Sequence, residues 1–429
     1  MRFISISNST HSVSFQEALR ASIPPDGTLY FPERIPSLRP ETIAHLAGSS
    51  QKKVAKVILS PWVEGEIPSS DLDAIIAEAC TFPTPVIDIG GKHILELFHG
   101  PTMAFKDVAA RYLAALLGYF NRKESVTSTV LVATSGDTGG AIAYGFGNVA
   151  KTRVIVLFPK GRVSELQYDQ LTRTALNVMS VEVDGTFDDC QALVKQAFAD
   201  ADLSPFRFIS ANSINVGRII PQITYYASSY SQMARDNLRF IVPTGNLGSL
   251  TAGVFGWAMG LPFKAFLAAT NQNDAVPRYI ATGDRTPISP RASFSNAMDV
   301  GTPSNLPRLA RIFKDDYREA QKMISATSIN DVETSKTIKN VYEKHGYLLD
   351  PHTAVGWAAS ERLPRNDTTD IIVATASPIK FAKEIEKRTG ISINSQAPLA
   401  TLRSTELRVT QIDNSYQMFK KFLHNALAP

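Results

Sequence analysis

STVLVATSGDTGGAIAYGFG, residues 128–147, is the stretch whose reading decides the fold. Its first seven residues are short, nearly continuously apolar and rich in β-branched side chains, the signature of a strand buried on both faces. A glycine-rich turn, TSGDTGG (134–140), follows, and AIAYGFG continues as a helix. The unit recurs downstream. RVIVLF (153–158) precedes a helix from about Val163, and VMSVEV (178–183) precedes FDDCQALVKQAFADA, where Phe187, Leu193, Val194 and Phe198 share one face. RFIVPT (239–244), FKAFLAAT (263–270) and DIIVAT (370–375) read as further buried strands. Apolar strands alternating with helices predict an α/β fold of mostly parallel sheets flanked by helices.

Outward from this core the chain divides into three parts. Residues 1–92 read as an N-terminal domain or extension, because prolines and polar turns separate short helical patterns without strand–helix alternation. Residues 93–225 read as one α/β domain. Residues 226–429 read as a second, with an inserted helical segment at about 272–340. No internal repeat or low-complexity tract interrupts them.

The 429 residues carry 44 Lys and Arg against 40 Asp and Glu, so nothing in the overall charge favours nucleic acid or an anionic membrane as a partner. Cys80 and Cys190 stand far apart, which argues for a reducing compartment and against a disulfide framework. The start, MRFISISNSTHSVSFQEAL, lacks signal-peptide character, and no stretch has bilayer-spanning length, so a cytoplasmic location is expected. The seven histidines show no HxxxH or HExxH spacing, so no metal is expected.

Four segments carry chemistry-bearing residues. HGPTMAFKD (99–107) opens a helix whose Ala109, Leu113, Leu116, Leu117 and Phe120 share a face. Lys106 follows almost nothing charged, and a lysine among apolar neighbours has a lowered pKa and a nucleophilic amine. Read locally, a snorkelling helix lysine is the better-favoured explanation. TSGDTGG and PTGNLGSLTAG (243–253) are strand-to-helix turns that aim N–H groups at an anion. The second lacks the GK[ST] of a nucleotide P-loop and the spacing of GxGxxG, so phosphate is favoured over nucleotide. ATASPIKF (374–381) puts Thr375 at a strand's carboxyl edge, where open α/β sheets bind ligands. His99 and His352, beside proline turns, read as structural donors.

Together these segments resemble the threonine synthases, specifically the longer form with an N-terminal extension, within the tryptophan-synthase-β-like enzymes of fold type II. SANSIN (210–215) with Arg218, AATNQND (268–274), SNAMDV (295–300) and DPHTAVG (350–356) extend the likeness nearly end to end. The resemblance implies pyridoxal 5'-phosphate as cofactor, bound through Lys106, which then serves as general base. It implies that Gly245, Asn246, Leu247, Gly248 and Ser249 hold the cofactor phosphate, that Thr375 meets the pyridine nitrogen, and that Asp137 lies by the cofactor ring. Ser135, Gly136 and Thr138 would surround the substrate's amino-acid end. Lys160, Arg162, Ser213, Asn215 and Arg218 are candidates for the substrate phosphate. The implied reaction turns O-phospho-L-homoserine and water into L-threonine and phosphate, in a monomer or homodimer.

Two positions depart from the family pattern. Leu247 replaces the usual aromatic of the phosphate loop, and Ser377 replaces the histidine that many relatives carry in TAHP. The second departure keeps an alternative open, a lyase that releases 2-oxobutyrate. A non-catalytic binding protein on the same fold is the remaining alternative, disfavoured by the retained lysine and phosphate loop.

Overall fold

The computed structural model describes every residue except 123–126, 365–366, 395–402, 404 and 429. At the N-terminus β1 (Arg2–Ser5), β2 (Ser12–Ser14) and β3 (Tyr30–Pro32) form an antiparallel sheet in the order β2–β1–β3. A hairpin of β4 (Val86–Ile89) and β5 (Lys92–Glu96) follows. Next come β6 (Ser128–Ala133), β7 (Thr152–Pro159), β8 (Val178–Asp184) and β9 (Phe208–Ser210). β10 (Leu238–Pro243), β11 (Phe263–Thr270), β12 (Ile324–Ser328) and β13 (Thr369–Ala374) succeed them, and β14 (Thr410–Asp413) lies near the C-terminus.

These eleven later strands assemble as two sheets. One has the order β14–β8–β7–β6–β9 and the other β12–β11–β10–β13–β5–β4; every pairing is parallel except the β4–β5 hairpin. Helices cover both faces, which is why Val130, Leu131 and Val132 are all fully buried and the strand reads as an unbroken apolar run. All six strands read from the sequence are present, within a residue or two of their expected bounds.

The chain crosses between sheets in places that its order does not suggest. Lys92–Glu96 pairs with Thr369–Ala374 rather than with the strands that follow it, and Thr410–Asp413 returns to pair with β8. The segment expected to be a helical insert also contributes β12 to the edge of the larger sheet. The N-terminal part shares its core with the rest: Trp62, in the helix Gln51–Val63, meets Phe255 edge-on at 5.8 Å, and Phe31 meets the same ring at 5.8 Å. Phe255 belongs to the helix Gly248–Ala258, so the N-terminal part buttresses the element that carries the second glycine-rich turn.

Candidate active site

The HGPT turn is closed by one carboxylate. Asp107 accepts hydrogen bonds from the Thr102 N–H at 2.8 Å and the Thr102 hydroxyl at 2.6 Å. A Cβ on Gly100 would lie 2.5 Å from Asp107 Oδ2, so only glycine lets the chain approach this closely. The turn delivers Lys106 as the first residue of the helix Lys106–Asn121. Just before it, Ala104 bridges Ala376, the Phe105 N–H donates to the Thr375 carbonyl at 2.8 Å, and the Ser377 N–H donates to Met103 O at 3.0 Å. These bonds dock the lysine against the carboxyl end of β13.

Lys106 Nζ lies 3.5 Å from Asp137 Oδ2, with 17% of its side chain accessible. Burial pulls its pKa down; the nearby charges of Lys380 and Arg218 add to the fall, and Asp137 opposes it. Asp137 is the first residue of the helix Asp137–Gly145, where a carboxylate complements the helix dipole. Its turn is held by Thr134 Oγ1, which accepts from the N–H groups of Gly136 at 3.0 Å and Gly139 at 2.8 Å. Gly136 has φ +136°, and a Cβ there would strike the Gln167 amide at 2.5 Å. That amide donates to Asp137 Oδ1 at 2.9 Å. Burial pushes the Asp137 carboxyl upward, but Lys380, Lys106 and the Gln167 bond outweigh it and hold the group well below the carboxylate range. Ser135 is exposed and Thr138 half-buried beside this turn.

Because β10 and β13 are neighbours, the second glycine turn emerges beside Thr375. Gly248, Ser249 and Leu250 form the first turn of the helix Gly248–Ala258, so their N–H groups have no helical carbonyl to bond. Leu247 precedes them at φ +62°, a left-handed conformation for a branched residue, fully buried. A Cβ on Gly245 would meet Met298 Cα at 2.9 Å. Ser249 Oγ is held by Tyr225 at 2.7 Å and Tyr226 at 2.9 Å, so this residue offers its backbone and not its hydroxyl. The Asn246 carbonyl accepts from Asn305, through N–H and Nδ2, both at 3.2 Å.

The remaining candidates separate. Arg218 is buried near Lys106, its Nη1 donates to Ala211 O at 2.5 Å, and its Nε has no hydrogen-bond partner among the described residues. Ser213 lies beside Gly248, Cβ to Cβ position 3.4 Å. Asn215 is fully buried, and its amide is spent on Leu19 O, Ser22 Oγ, Ser210 O and the Gly217 N–H. The structure thus gives Asn215 a scaffolding task. Lys160 and Arg162 are exposed, and Lys160 lines a small cavity with Glu182, Asp184 and Asp413 at the edge of the smaller sheet. The structure does not bring these two cations to Lys106. His99 Nε2 donates to Glu96 Oε2 at 2.7 Å, and His352 pairs with Asp350 at 3.0 Å while Nε2 accepts the Ala297 N–H at 3.2 Å. Ser377 caps the short helix Pro378–Phe381.

Sequence reasoning missed two residues. Lys380 is fully buried beside Asp137, and its only signal was a lysine inside the apolar run of ATASPIKF. Arg308 is fully buried and donates to Tyr30 O at 3.1 Å, Ser213 O at 3.4 Å and Ile214 O at 2.8 Å, and also to Asn305 Oδ1. Burial brings its pKa down to about 9. No local pattern marks it.

These features fit pyridoxal phosphate. The Thr375 hydroxyl is buried yet has no partner among the described residues, which suits it to meet a ring nitrogen. The unsatisfied helix N-terminus at Gly248 suits a phosphate, and Lys106 supplies a partly buried amine.

Comparison with known proteins agrees. Residues 83–375 match the family model described as pyridoxal-phosphate dependent enzyme, residues 2–80 the threonine synthase N terminus, and residues 353–423 the threonine synthase C-terminal model. The chain is 37% identical to the threonine synthase of Haemophilus influenzae, over 99% of each. It superposes on the crystal structure of threonine synthase from Escherichia coli with a TM-score of 0.91 at 34% identity, covering 99% of this chain and 100% of that one. For the pyridoxal-phosphate-bound threonine synthase from Brucella melitensis the TM-score is 0.93 at 33% identity, with 100% of both chains covered.

Proposed function

The chain belongs to the threonine synthase family, and from that premise we propose how its own residues carry out the reaction. It is a pyridoxal-phosphate-dependent lyase that forms L-threonine and phosphate from O-phospho-L-homoserine and water. The observation that carries the site assignment is Lys106 Nζ at 3.5 Å from Asp137, beside a backbone hydrogen bond to Thr375, whose buried hydroxyl has no partner among the described residues.

When bound, the cofactor supplies an electron sink for charge withdrawn from the substrate's α carbon. The protein does the rest. The N–H groups of Gly245, Asn246, Leu247, Gly248 and Ser249 would hold the cofactor phosphate at the helix N-terminus. Thr375 would hold the ring nitrogen through its buried hydroxyl. Lys106 accepts the α proton through its neutral Nζ and carries a proton at the β carbon afterwards. Ser135, Gly136 and Thr138 orient the substrate carboxylate. Arg218, with an uncommitted buried Nε, faces the leaving phosphate with Ser213 assisting, because a departing dianion needs donors already in place. Two buried cysteines and near-neutral net charge support a cytoplasmic enzyme, monomer or homodimer, with no nucleic-acid or membrane partner.

A product assay tests this reading. Protein, cofactor and O-phospho-L-homoserine are incubated, and phosphate, threonine and 2-oxobutyrate are quantified together. Threonine equal to phosphate is expected, and Lys106→Ala should give neither product nor visible cofactor absorbance. Phosphate accompanied by 2-oxobutyrate in place of threonine would overturn the synthase in favour of a lyase.

A further inference from the structure

Lys106 is not the only lysine at this site. Lys380, in the short helix Pro378–Phe381, has a fully buried ammonium. An ammonium has three N–H donors. Lys380 Nζ finds three acceptors: Thr102 O at 2.7 Å, Gln170 Oε1 at 2.9 Å and Asp137 Oδ1 at 3.1 Å. Lys106 Nζ has a single carboxylate oxygen, the other oxygen of Asp137, at 3.5 Å, and the Phe105 ring at 5.5 Å. One negative charge therefore stands between two lysines, and the geometry divides it unequally. The better hydrogen-bonded ammonium is Lys380; a charge on Lys106 would have one long, shared partner.

We propose that Lys380 is a positioning residue for Lys106: it claims Asp137 as its own counter-ion and thereby favours the uncharged form of the Lys106 amine. The inference rests on the reading of Lys106 as the cofactor-binding lysine. The groups facing Lys106 are Asp137 from the helix Asp137–Gly145, Lys380 from Pro378–Phe381 and Arg218 from Val216–Ile219. Asp137 also feels His352, and Asp107, next to Lys106 in its own helix, is held by Thr102. Among these, two cations oppose a charge on Lys106 and one carboxylate, already engaged, favours it. Gln167 and Gln170 fix the engagement, one donating to Asp137 Oδ1 and the other accepting from Lys380. The amine is thus ready to attack a carbonyl and to take up a proton without first losing one.

The test is the pH dependence of cofactor uptake, followed as visible absorbance when pyridoxal phosphate is added to the full chain. Only the neutral amine reacts. Lys380→Met removes the competing cation and gives Asp137 to Lys106, so the onset of uptake should move up by about one pH unit or more. Lys380→Arg keeps the charge and should restore the onset to within about half a unit of wild type. Asp137→Asn removes the carboxylate and should move the onset down, which reads the same network with the opposite sign even where Lys380→Met does not fold. Onsets that stay put, or that move together in one direction, overturn the inference. A purely structural role for Lys380 would lower uptake equally at every pH in both lysine variants. Wild-type protein that develops no absorbance at any pH overturns the reading of Lys106 itself, whereas a reactive wild type with an unmoved Lys380→Met onset overturns the inference alone.

Discussion

The Thr375 hydroxyl sits in the interior without a hydrogen-bond partner among the described residues, an arrangement that costs stability and persists where function uses it. Thr375→Val should therefore leave the cofactor-free protein as stable as wild type, or up to about 1 kcal/mol more stable. Cofactor affinity and turnover should fall together. Thermal melts of the cofactor-free protein and a pyridoxal phosphate titration check both halves; a variant that melts earlier would mean that the hydroxyl serves the fold. Asp137 behaves in the opposite way, because its charge is engaged within the protein. Its folded-state pKa is held below the unfolded value of about 3.9, so the stability it contributes is complete above about pH 4 and is lost as pH falls toward the folded pKa. Asp137→Asn leaves the fully buried Lys380 ammonium without its carboxylate and should cost about 3–5 kcal/mol at pH 7. The gap between variant and wild type should narrow below about pH 4, as read by denaturant midpoints at pH 7 and pH 3. A gap that does not change with pH would exclude an ionised Asp137 as its source.

Among the elements, strands and glycine turns were legible in the sequence, and for a physical reason. A parallel strand covered on both faces must be apolar along its length, so STVLVAT and its counterparts could hardly read otherwise. Glycines mark places where the backbone bends or approaches something closely. Gly245 is the clearest case: its Cβ would sit 2.9 Å from a backbone atom, Met298 Cα, and 3.1 Å from Val300. Gly245→Ala must push the 295–300 turn away from the phosphate loop. We expect at least tenfold weaker cofactor binding, with a loss of about 1–3 kcal/mol in the cofactor-free fold, and a titration with unchanged affinity would refute that coupling. Leu247, in the same loop, is fully buried, so its side chain bears on packing. What the sequence hid is what depends on distant partners. Arg308 joins Tyr30, Ser213, Ile214 and Asn305, residues from three separate regions, and through Asn305 it steadies Asn246. Lys380 looked like any lysine after a strand. Lys160 and Arg162 are candidates as cations for a leaving phosphate, and both are exposed just after β7.

At the scale of the whole molecule, the site draws on the carboxyl ends of both sheets, Asp137 after β6 and Thr375 after β13, and two strands tie the sheets together out of chain order. β5 leaves the N-terminal side to pair with β13, and β14 returns from the C-terminal side to pair with β8. Neither crossover was legible, since pairing partners almost 280 residues apart in one case and about 230 in the other leave no mark on local periodicity. We retain the division at 92 and 225 as a proposal, with these two strands exchanged between the units that surround the cleft. The second crossover ends in the helix Tyr416–Leu427, whose Phe419, Leu423 and Leu427 are buried against Cys190, Leu193 and Val194 on the helix Phe187–Ala199. Phe419 is fully buried and lies far along the chain from every residue assigned to the cofactor. Phe419→Ala should cost about 3–5 kcal/mol through lost transfer energy and the cavity left behind. Cofactor affinity of the folded fraction should stay unchanged, because Lys106, Thr375 and the loop at 245–249 keep their partners. Denaturant unfolding followed by tryptophan fluorescence, beside a pyridoxal phosphate titration in buffer, separates the two quantities. A loss of affinity larger than the loss of folded protein would mean that the C-terminal helix shapes the cleft itself; stability lost alone would mean that it acts as a clasp, holding the smaller sheet shut behind a site it never touches.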